Sequence, residues 1–241
     1  MSAVVGDVQA GRLIFGADAP FQCAIIPVTR VKQNCSVIWC TRTRMAAVID
    51  PGGDLDSIRA LLDRNALTLE RVLVTHGHVD HAGGAFDLAD IMGVPIEGPH
   101  RADRFLVERL ADNGDLYGMD WAIPYEPARW LGDGDTVRIG NETLEILHCP
   151  GHTPGHVAYY HRPSGLAFVG DILFRGLIGN TSMPYSDHRA LLRSIHLKLL
   201  PLGNHVAFVP GHGPLSTFGE ERRTNAVVSD KAKERYEHLI M

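Results

Sequence analysis

The segment 75–81 reads Thr-His-Gly-His-Val-Asp-His, which places four metal-ligand-type side chains in six positions. Three more such side chains lie in glycine-rich turns further along the chain. To bury this many imidazoles and carboxylates without a compensating cation would be costly. Imidazole and carboxylate suit zinc, iron or manganese better than a purely hard ion such as calcium. The set therefore predicts a site for two adjacent divalent metal ions, and its members are His76, His78, Asp80, His81, His152, Asp171 and His212.

The candidate ligands follow strand-like runs in the sequence. These runs cover residues 72–75, 144–147, 166–169 and 206–209, and each is short and largely apolar. Loops held by rigid strands at one edge of a sheet are where functional groups converge. We therefore expect the ligand loops to meet at one edge of the fold.

Strand-like and helical stretches are mixed along the chain. Strands are predicted at residues 22–29, 36–41, 45–50, 71–75 and 206–209, with hairpins over 136–148 and 157–169, and helices at 55–64, 80–92, 102–111 and 189–200. Mixed elements with hairpins favour packed mixed sheets over a pure βαβ repeat. No low-complexity tract or linker interrupts the chain, which predicts a single domain over residues 1–241. Residues 1–20 are interpreted as an arm between the subunits of a homo-oligomer.

Composition narrows the environment and the partners. The net charge is −5, so no global basic surface attracts nucleic acid. No run reaches the roughly 20 apolar residues that a membrane-spanning helix needs, and the N-terminus does not resemble a signal peptide. The four cysteines form no C-x-x-C pair and are interpreted as buried, reduced thiols. The expectation is a cytoplasmic protein that binds neither nucleic acid nor membrane.

Most histidines outside this set are assigned ordinary structural roles. His156 is the best of them and is considered as a support for the ligands. The position of His148 at a strand end leaves its role open. The remaining ones are assigned to the surface or to ordinary packing: His100, His161, His188, His196, His205 and His238.

The order H-x-H-x-D-H followed by His, Asp and His resembles the signature of the metallo-β-lactamase superfamily. That resemblance implies an α+β or α/β fold, a four-layer αββα sandwich of two mixed β-sheets flanked by helices, with the metals at the edge of the sheets. It also implies how the ligands divide. His76, His78 and His152 would hold the first metal, Asp80, His81 and His212 the second, and Asp171 would bridge the two.

Within the superfamily the chain resembles glyoxalase II-like hydrolases of the short bacterial type, which lack the C-terminal helical domain. The residues that carry this resemblance include the segments 33–36, 50–53, 151–156, 170–174 and 219–225. The chain departs from the pattern at 179–182, where Gly-Asn-Thr-Ser stands in place of an arginine followed by Thr-Asp or aromatic residues. This departure leaves the thiol portion of the substrate open.

The resemblance implies cleavage of a small-molecule thioester such as S-lactoylglutathione by a hydroxide held at two divalent metal ions. Zinc is expected first, with iron or manganese as alternatives. Asp80 and Asp171 are the candidate catalytic residues. Candidates for substrate binding follow the bridging aspartate: Arg175, Asn180, Tyr185 and Arg189.

Two other functions stay open at this point. A persulfide dioxygenase has the same fold but uses a single iron, and a lactonase or another metallo-hydrolase would use the same hydroxide chemistry. Zinc β-lactamases of the common type carry Cys at the position of Asp171, which argues against that version.

Overall fold

The computed structural model describes residues 14–16, 19–232 and 238. Its strands are β1 (Phe21–Val28), β2 (Gln33–Cys40), β3 (Met45–Ile49), β4 (Thr68–Leu73), β5 (Ile96–Glu97), β6 (Thr136–Ile139), β7 (Glu142–His148), β8 (Val157–His161), β9 (Leu166–Gly170), β10 (Leu173–Phe174), β11 (Leu177–Ile178), β12 (Ala207–Pro210) and β13 (Ser216–Thr217). Its α-helices are α1 (Leu55–Arg64), α2 (Val79–Ala82), α3 (Ala85–Met92), α4 (Arg104–Val107), α5 (Leu110–Tyr117), α6 (His188–Ser194) and α7 (Phe218–Thr224).

The strands form two mixed sheets. The first has the order β1-β2-β3-β4-β5, antiparallel at its start and parallel from β3 to β5. The second has the order β13-β12-β9-β8-β7-β6 and contains one parallel pair, β12 with β9. A short hairpin, β10-β11, stands apart from both sheets. This arrangement confirms the predicted sandwich of two mixed sheets flanked by helices.

Three apolar layers hold the sandwich together. The side chains of strand β2 point alternately to the two faces of its sheet and so contribute to two of these layers. Val37 and Trp39 face the helices α1 and α3, whereas Ile38 lies between the two sheets. The third layer packs the outer face of the second sheet against α6 and α7 through residues such as Leu191 and Phe218. Both faces of each sheet are thus covered, which explains the nearly continuous apolar runs in the sequence.

Three predicted helices differ from the observed ones. The stretch 80–92 is divided at Gly83 and Gly84 into α2 and α3. The stretch 102–111 is divided into a 3₁₀ turn (Arg101–Asp103), α4 and the start of α5. This break lets Asp103 turn inward while Leu106, Val107 and Leu110 stay buried. The helix predicted at 189–200 continues beyond α6 through a π turn, Ile195–Leu199, and a 3₁₀ turn that contains Pro201, which has no amide hydrogen to donate.

The terminal prediction falls mostly outside the described residues. Of the arm at 1–20, the described Ile14, Phe15 and Ala19 are buried in the layer between the sheets. The single-domain organisation and the homo-oligomer stay predictions. In the part of the chain that the structure describes, no helix has the length and apolar character needed to cross a membrane.

Candidate metal centre

The candidate ligands lie at the ends of strands from both sheets. His76 comes three residues after β4, and Asp171 directly follows β9. His212 comes two residues after β12, the parallel neighbour of β9, and His152 follows β7. Asp80 and His81 belong to α2, which begins immediately after the first histidine loop. The two sheets therefore deliver all of these loops to one edge of the sandwich.

A first triad is formed by three imidazoles. His78 Nδ1 lies 3.0 Å from His76 Nε2 and 3.0 Å from His152 Nε2. The residues come from two loops more than 70 positions apart in the chain. Three nitrogens directed at one point form a donor set that suits a transition-metal ion or zinc.

A second triad is formed by one carboxylate and two imidazoles. Asp80 Oδ2 lies 3.1 Å from His212 Nε2 and 3.7 Å from His81 Nε2. His81 is fully buried, whereas Asp80 and His212 are partly exposed. The three potential ligand atoms lie within 4.8 Å of one another, as do those of the first triad.

Asp171 lies between the two triads. Its Oδ1 is 3.3 Å from His81 Nε2, and its Oδ2 is 3.6 Å from His152 Nε2 and 3.8 Å from His212 Nε2. One carboxylate therefore reaches imidazoles of both groups. This is the arrangement expected of a residue that bridges two ions.

The outer nitrogens of three of these histidines are already engaged. His152 Nδ1 donates to the carbonyl of Asn180 at 2.7 Å, and His212 Nδ1 lies 3.3 Å from the carbonyl of Val31. His81 Nδ1 lies 2.9 Å from Asp50 Oδ2. An acceptor at the outer nitrogen keeps the hydrogen there and leaves the inner nitrogen available as a ligand.

Asp50 is a functional residue whose role the sequence reasoning missed. Its carboxylate accepts hydrogen bonds from Thr75 N at 2.7 Å, from Thr75 Oγ1 at 2.6 Å and from His81 Nδ1. Because the Thr75 hydroxyl gives its hydrogen to Asp50, it accepts one from His76 Nδ1, 3.0 Å away. Asp50 thus orients one histidine of each triad. Its position directly after a buried strand, as for the ligands themselves, was the signal that could have revealed it.

The first triad is poised to bind a cation without losing protons. Burial, followed by the nearby charge of other histidines, lowers the pKa of His76 well below its usual range and the pKa of His78 to about 4. Burial also lowers the pKa of His152. These imidazoles are therefore neutral at pH 7, the form in which histidine binds metal.

Next to Asp171 the pKa of a histidine is raised, in contrast to the lowered pKa values of the histidines in the first triad. Burial by itself would lower the pKa of His81, but the carboxylates of Asp171 and Asp80 raise it well above its usual value. Burial would raise the pKa of Asp171, yet the charge on His81, whose Nε2 lies 3.3 Å from Asp171 Oδ1, holds it far below the usual range. The carboxylate of Asp171 is therefore ionised, which is the form in which it binds a cation.

A further observation indicates that these residues fit a pair of metal ions. His81 Nε2 and Asp171 Oδ1 are buried and have no hydrogen-bond partner among the described residues. Unpartnered buried polar atoms are rare in folded proteins, and an ion that binds them removes the cost. Nitrogen and oxygen donors in this number suit divalent zinc, iron or manganese.

His156 supports the ligands, as was considered from the sequence. Its ring stacks on His76 with centroids 4.4 Å apart, and its Nε2 accepts a hydrogen bond from Asp171 N at 3.0 Å. Its Nδ1 lies 3.1 Å from the carbonyl of Val157. A single buried imidazole therefore fixes the backbone at Asp171 and packs against a ligand of the first triad.

The predicted substrate-binding residues occupy different places. Tyr185 lies closest to the triads, with its hydroxyl 2.9 Å from His78 Nε2. Asn180 contributes its carbonyl to His152, while its side chain accepts a hydrogen bond from Ser182 N in its own loop. Arg175 is exposed at the turn between β10 and β11, and Arg189 is exposed in α6. The structure thus brings the side chain of Tyr185 and the backbone carbonyl of Asn180 against ligand side chains.

A cavity of about 260 Å³ opens beside the triads. It is lined by Val31, His78, Val79, Asp80, Asn113, Met119, Met183 and Tyr185. His78 belongs to the first triad and Asp80 to the second, so a molecule in the cavity lies next to both. The apolar lining of valine and methionine was not predicted from the sequence.

Comparison with known proteins agrees with this geometry. The chain is 40% identical over 209 residues to hydroxyacylglutathione hydrolase GloC of Haemophilus influenzae, which covers 86% of this chain and 98% of that protein. Among solved structures it is similar to BLEG-1 B3 metallo-beta-lactamase, with a TM-score of 0.79, 34% identity, and coverage of 86% and 99% of the two chains. It is also similar to TTHA1623 in a di-iron-bound form, with a TM-score of 0.75, 33% identity, and coverage of 83% and 98%.

The sequence profile of the metallo-beta-lactamase superfamily matches residues 28–212, a span that includes both triads and Asp171. The match, the two mixed sheets and the convergence of the loops at their edge lead to the same conclusion. The chain belongs to the metallo-beta-lactamase superfamily.

Proposed function

We propose that this protein is a metal-dependent hydrolase of the glyoxalase II type that cleaves a thioester such as S-lactoylglutathione. Two divalent ions, zinc in the first place, would be held by the two triads with Asp171 between them. The observation that carries the proposal is that Asp171 reaches imidazoles of both triads. The identity to a hydroxyacylglutathione hydrolase over nearly the whole of that protein supports the substrate class.

The bound ions would supply an acidified water as nucleophile and would polarise the thioester carbonyl. The chain's own residues supply position and charge. Burial would raise the pKa of Asp80, but the charge on His81 and the hydrogen bond from His212 lower it, so its carboxylate is ionised near neutral pH. Because Asp80 also lines the cavity, it can accept a hydrogen bond from the attacking water and orient it.

A substrate in the cavity would have its thioester carbonyl next to ligands of both triads. His78 and Asp80 stand side by side in its wall, and the Tyr185 hydroxyl lies against His78. Val31 and Met183 provide apolar surface for the group that flanks the thioester. The leaving thiolate is stable in water, so departure needs no strong general acid, and we assign none.

The test combines a metal count with turnover in one sample. The purified protein is analysed for metal per chain and assayed with S-lactoylglutathione, before chelation, after exhaustive chelation and after zinc is restored. Two ions per chain, with hydrolysis lost on chelation and recovered with zinc, would support the proposal. Hydrolysis that survives complete metal removal would refute it.

Two comparison substrates separate the alternatives. Oxygen uptake on glutathione persulfide by a preparation with one iron per chain, without thioester hydrolysis, would replace the proposal with a persulfide dioxygenase. A chromogenic cephalosporin is included because of the 34% identity to a B3 metallo-beta-lactamase. Faster turnover of the cephalosporin than of the thioester would contradict the assignment of substrate class.

A further inference from the structure

A buried carboxylate outside both triads connects the two loops that supply the first one. Asp103 is fully buried. Its Oδ2 accepts hydrogen bonds from Gly77 N at 3.0 Å and from Thr153 Oγ1 at 2.7 Å, and its Oδ1 accepts one from Gly155 N at 2.5 Å. Gly77 lies between His76 and His78, whereas Thr153 directly follows His152.

The contact lies at the level of the ligands rather than at the strand ends. Where the strands end, the two loops are joined by a hydrogen bond from Val157 N to the carbonyl of Thr75. Beyond that bond the loops run outward to the ligands, and there Asp103 joins them again. The two connections reach the first loop on either side of His76, at Thr75 and at Gly77, and together they fix the position of that loop relative to the second one.

The packing around Asp103 is close on both sides. A Cβ atom at Gly77 would lie 2.6 Å from Leu106 Cβ, and a Cβ atom at Gly155 would lie 2.7 Å from Asp103 Oδ1. His100 also binds the second loop, because its amide donates to the carbonyl of Gly155. The segment 100–106 therefore touches both ligand loops without space for adjustment.

We propose that Asp103 is a positioning residue that holds His76 and His78 in register with His152 and so sets the metal affinity of the first triad. The proposal rests on the metal centre proposed above. The second triad takes its ligands from α2 and from the loop after β12, and the hydrogen bonds of Asp103 in the described structure go to neither of them. The effect should therefore be confined to one of the two ions.

The protonation state of Asp103 is consistent with this role. Burial raises its pKa to about 6, although the hydrogen bonds from Thr153, Gly77 and Gly155 act in the opposite direction. At pH 7 and above the carboxylate is therefore largely ionised, and both oxygens accept. An ionised acceptor makes stronger hydrogen bonds than a neutral one.

The substitution Asp103→Asn tests the proposal with almost no change in volume. An amide has a single acceptor oxygen, so in either orientation its NH₂ group faces a backbone N–H, that of Gly155 in place of Oδ1 or that of Gly77, together with the Thr153 hydroxyl, in place of Oδ2. The Thr153 hydroxyl can rotate to accept, but the amide of Gly77 cannot. Thr153→Val serves as a second variant that removes only the hydroxyl donor and leaves the charge unchanged.

Zinc affinity is measured in two backgrounds by competition with a chromophoric chelator. In His212→Ala only the first triad is complete, and in His78→Ala only the second. Loss of an outer partner of metal ligands typically weakens affinity 10–100-fold. We expect Asp103→Asn to weaken zinc binding at least tenfold in the His212→Ala background and less than threefold in the His78→Ala background. Thr153→Val should give a smaller loss in the first background only.

A control with lowered stability separates positioning from general loosening of the fold. Leu61 is buried in α1, in the layer between the first sheet and its helices. Leu61→Ala should lower the melting temperature without removing a hydrogen bond from a ligand loop, and it should leave zinc affinity in both backgrounds within threefold of the parent. The proposal is overturned if Asp103→Asn weakens binding equally in both backgrounds, or no more than Leu61→Ala does.

This outcome is distinct from failure of the proposed function. The measurement uses zinc alone and requires no substrate. A selective loss of zinc from the first triad without any thioester hydrolysis in the parent protein would uphold the role of Asp103 and refute the substrate class. Hydrolysis in the parent with no selective effect of Asp103→Asn would do the reverse.

Discussion

Replacing Asp50 with asparagine should reverse the hydrogen positions on one ligand of each triad. Asparagine keeps the shape of the side chain and tolerates the left-handed backbone at this position, where φ is 54°. If the amide oxygen stays on Thr75 N, the NH₂ group faces Thr75 Oγ1 and His81 Nδ1. His81 must then carry its hydrogen on Nε2, the atom directed at Asp171. The Thr75 hydroxyl, now an acceptor from the amide, would in turn donate to His76 Nδ1.

The size of the effect follows from these contacts. A histidine with a hydrogen on its inner nitrogen cannot bind a metal through that atom, so the tautomer must be restored at the cost of a hydrogen bond. A hydrogen bond to a charged group contributes about 1.5–3 kcal/mol. Loss of such an outer partner typically reduces metal affinity 10–100-fold, or about 1.4–2.7 kcal/mol at 25 °C. Because Asp50 serves His76 as well as His81, we expect the affinity of both ions to fall by this amount.

The assay is zinc competition with a chromophoric chelator, together with urea unfolding to confirm that the variant is folded. Glu142→Gln is the matched control, since Glu142 Oε2 lies 3.0 Å from His161 Nε2. That pair has the same carboxylate–imidazole chemistry, but Glu142 begins β7 at the end opposite to the loop of His152. Zinc affinity that is unchanged in Asp50→Asn, or equally reduced in Glu142→Gln, would show that the tautomer argument is wrong.

Further outcomes follow from the same geometry. Asp171→Ala should abolish thioester turnover and lower the number of bound ions, and undiminished activity would refute the bridging role. Gly211→Ala would place a Cβ in overlap with Asp171 Oδ1 and 2.6 Å from His81 Cε1, so we expect turnover to fall at least 100-fold while circular dichroism stays native. In chelated protein the unfolded chain takes up a proton on His78 below about pH 6.5 that the folded chain, with a pKa of about 4, does not. This residue should therefore withdraw up to about 3 kcal/mol of stability as pH falls from 7 to 4, and urea unfolding should show a weaker pH dependence in His78→Asn. Burial raises the pKa of Cys149 to about 12, so its thiol should resist iodoacetamide at pH 8 until the protein is unfolded, as mass spectrometry of alkylated peptides would show.

The convergence of the candidate ligands could be predicted because the signal is local. Each loop carries its own glycine-rich turn directly after an apolar run, so the position of a ligand at a strand end can be inferred without knowledge of the pairing. The two mixed sheets followed from the order of the elements in the same way. The break in the helix at 102–111 could not be predicted, because the hydrogen bonds that Asp103 accepts from two distant loops override the helical periodicity.

Asp50 and Asp103 both orient the ligands, but different structural information is needed to predict their contacts. For Asp50 the pairing of two strands is enough. Asp50 is 25 positions from Thr75 in the chain, but β3 pairs in parallel with β4, and Ile49 lies opposite Leu73. Once that register is known, the contact follows, because the two residues leave adjacent strands at the same edge of the sheet.

Asp103, in contrast, cannot be placed by the pairing of strands. It lies in no strand, its segment enters the site after Gly98-Pro99, and its three donors come from two loops that meet only in the finished sandwich. No pairing register predicts such a contact, because it depends on how the first sheet packs against the second. The relative positions of the three imidazoles in the first triad therefore depend on how the two sheets pack against each other. The tautomers of His76 and His81 depend instead on the hydrogen bonds of Asp50, which form within the first sheet. A variant that shifts one sheet against the other without altering either should consequently impair the first triad before it affects the hydrogen bonds of Asp50.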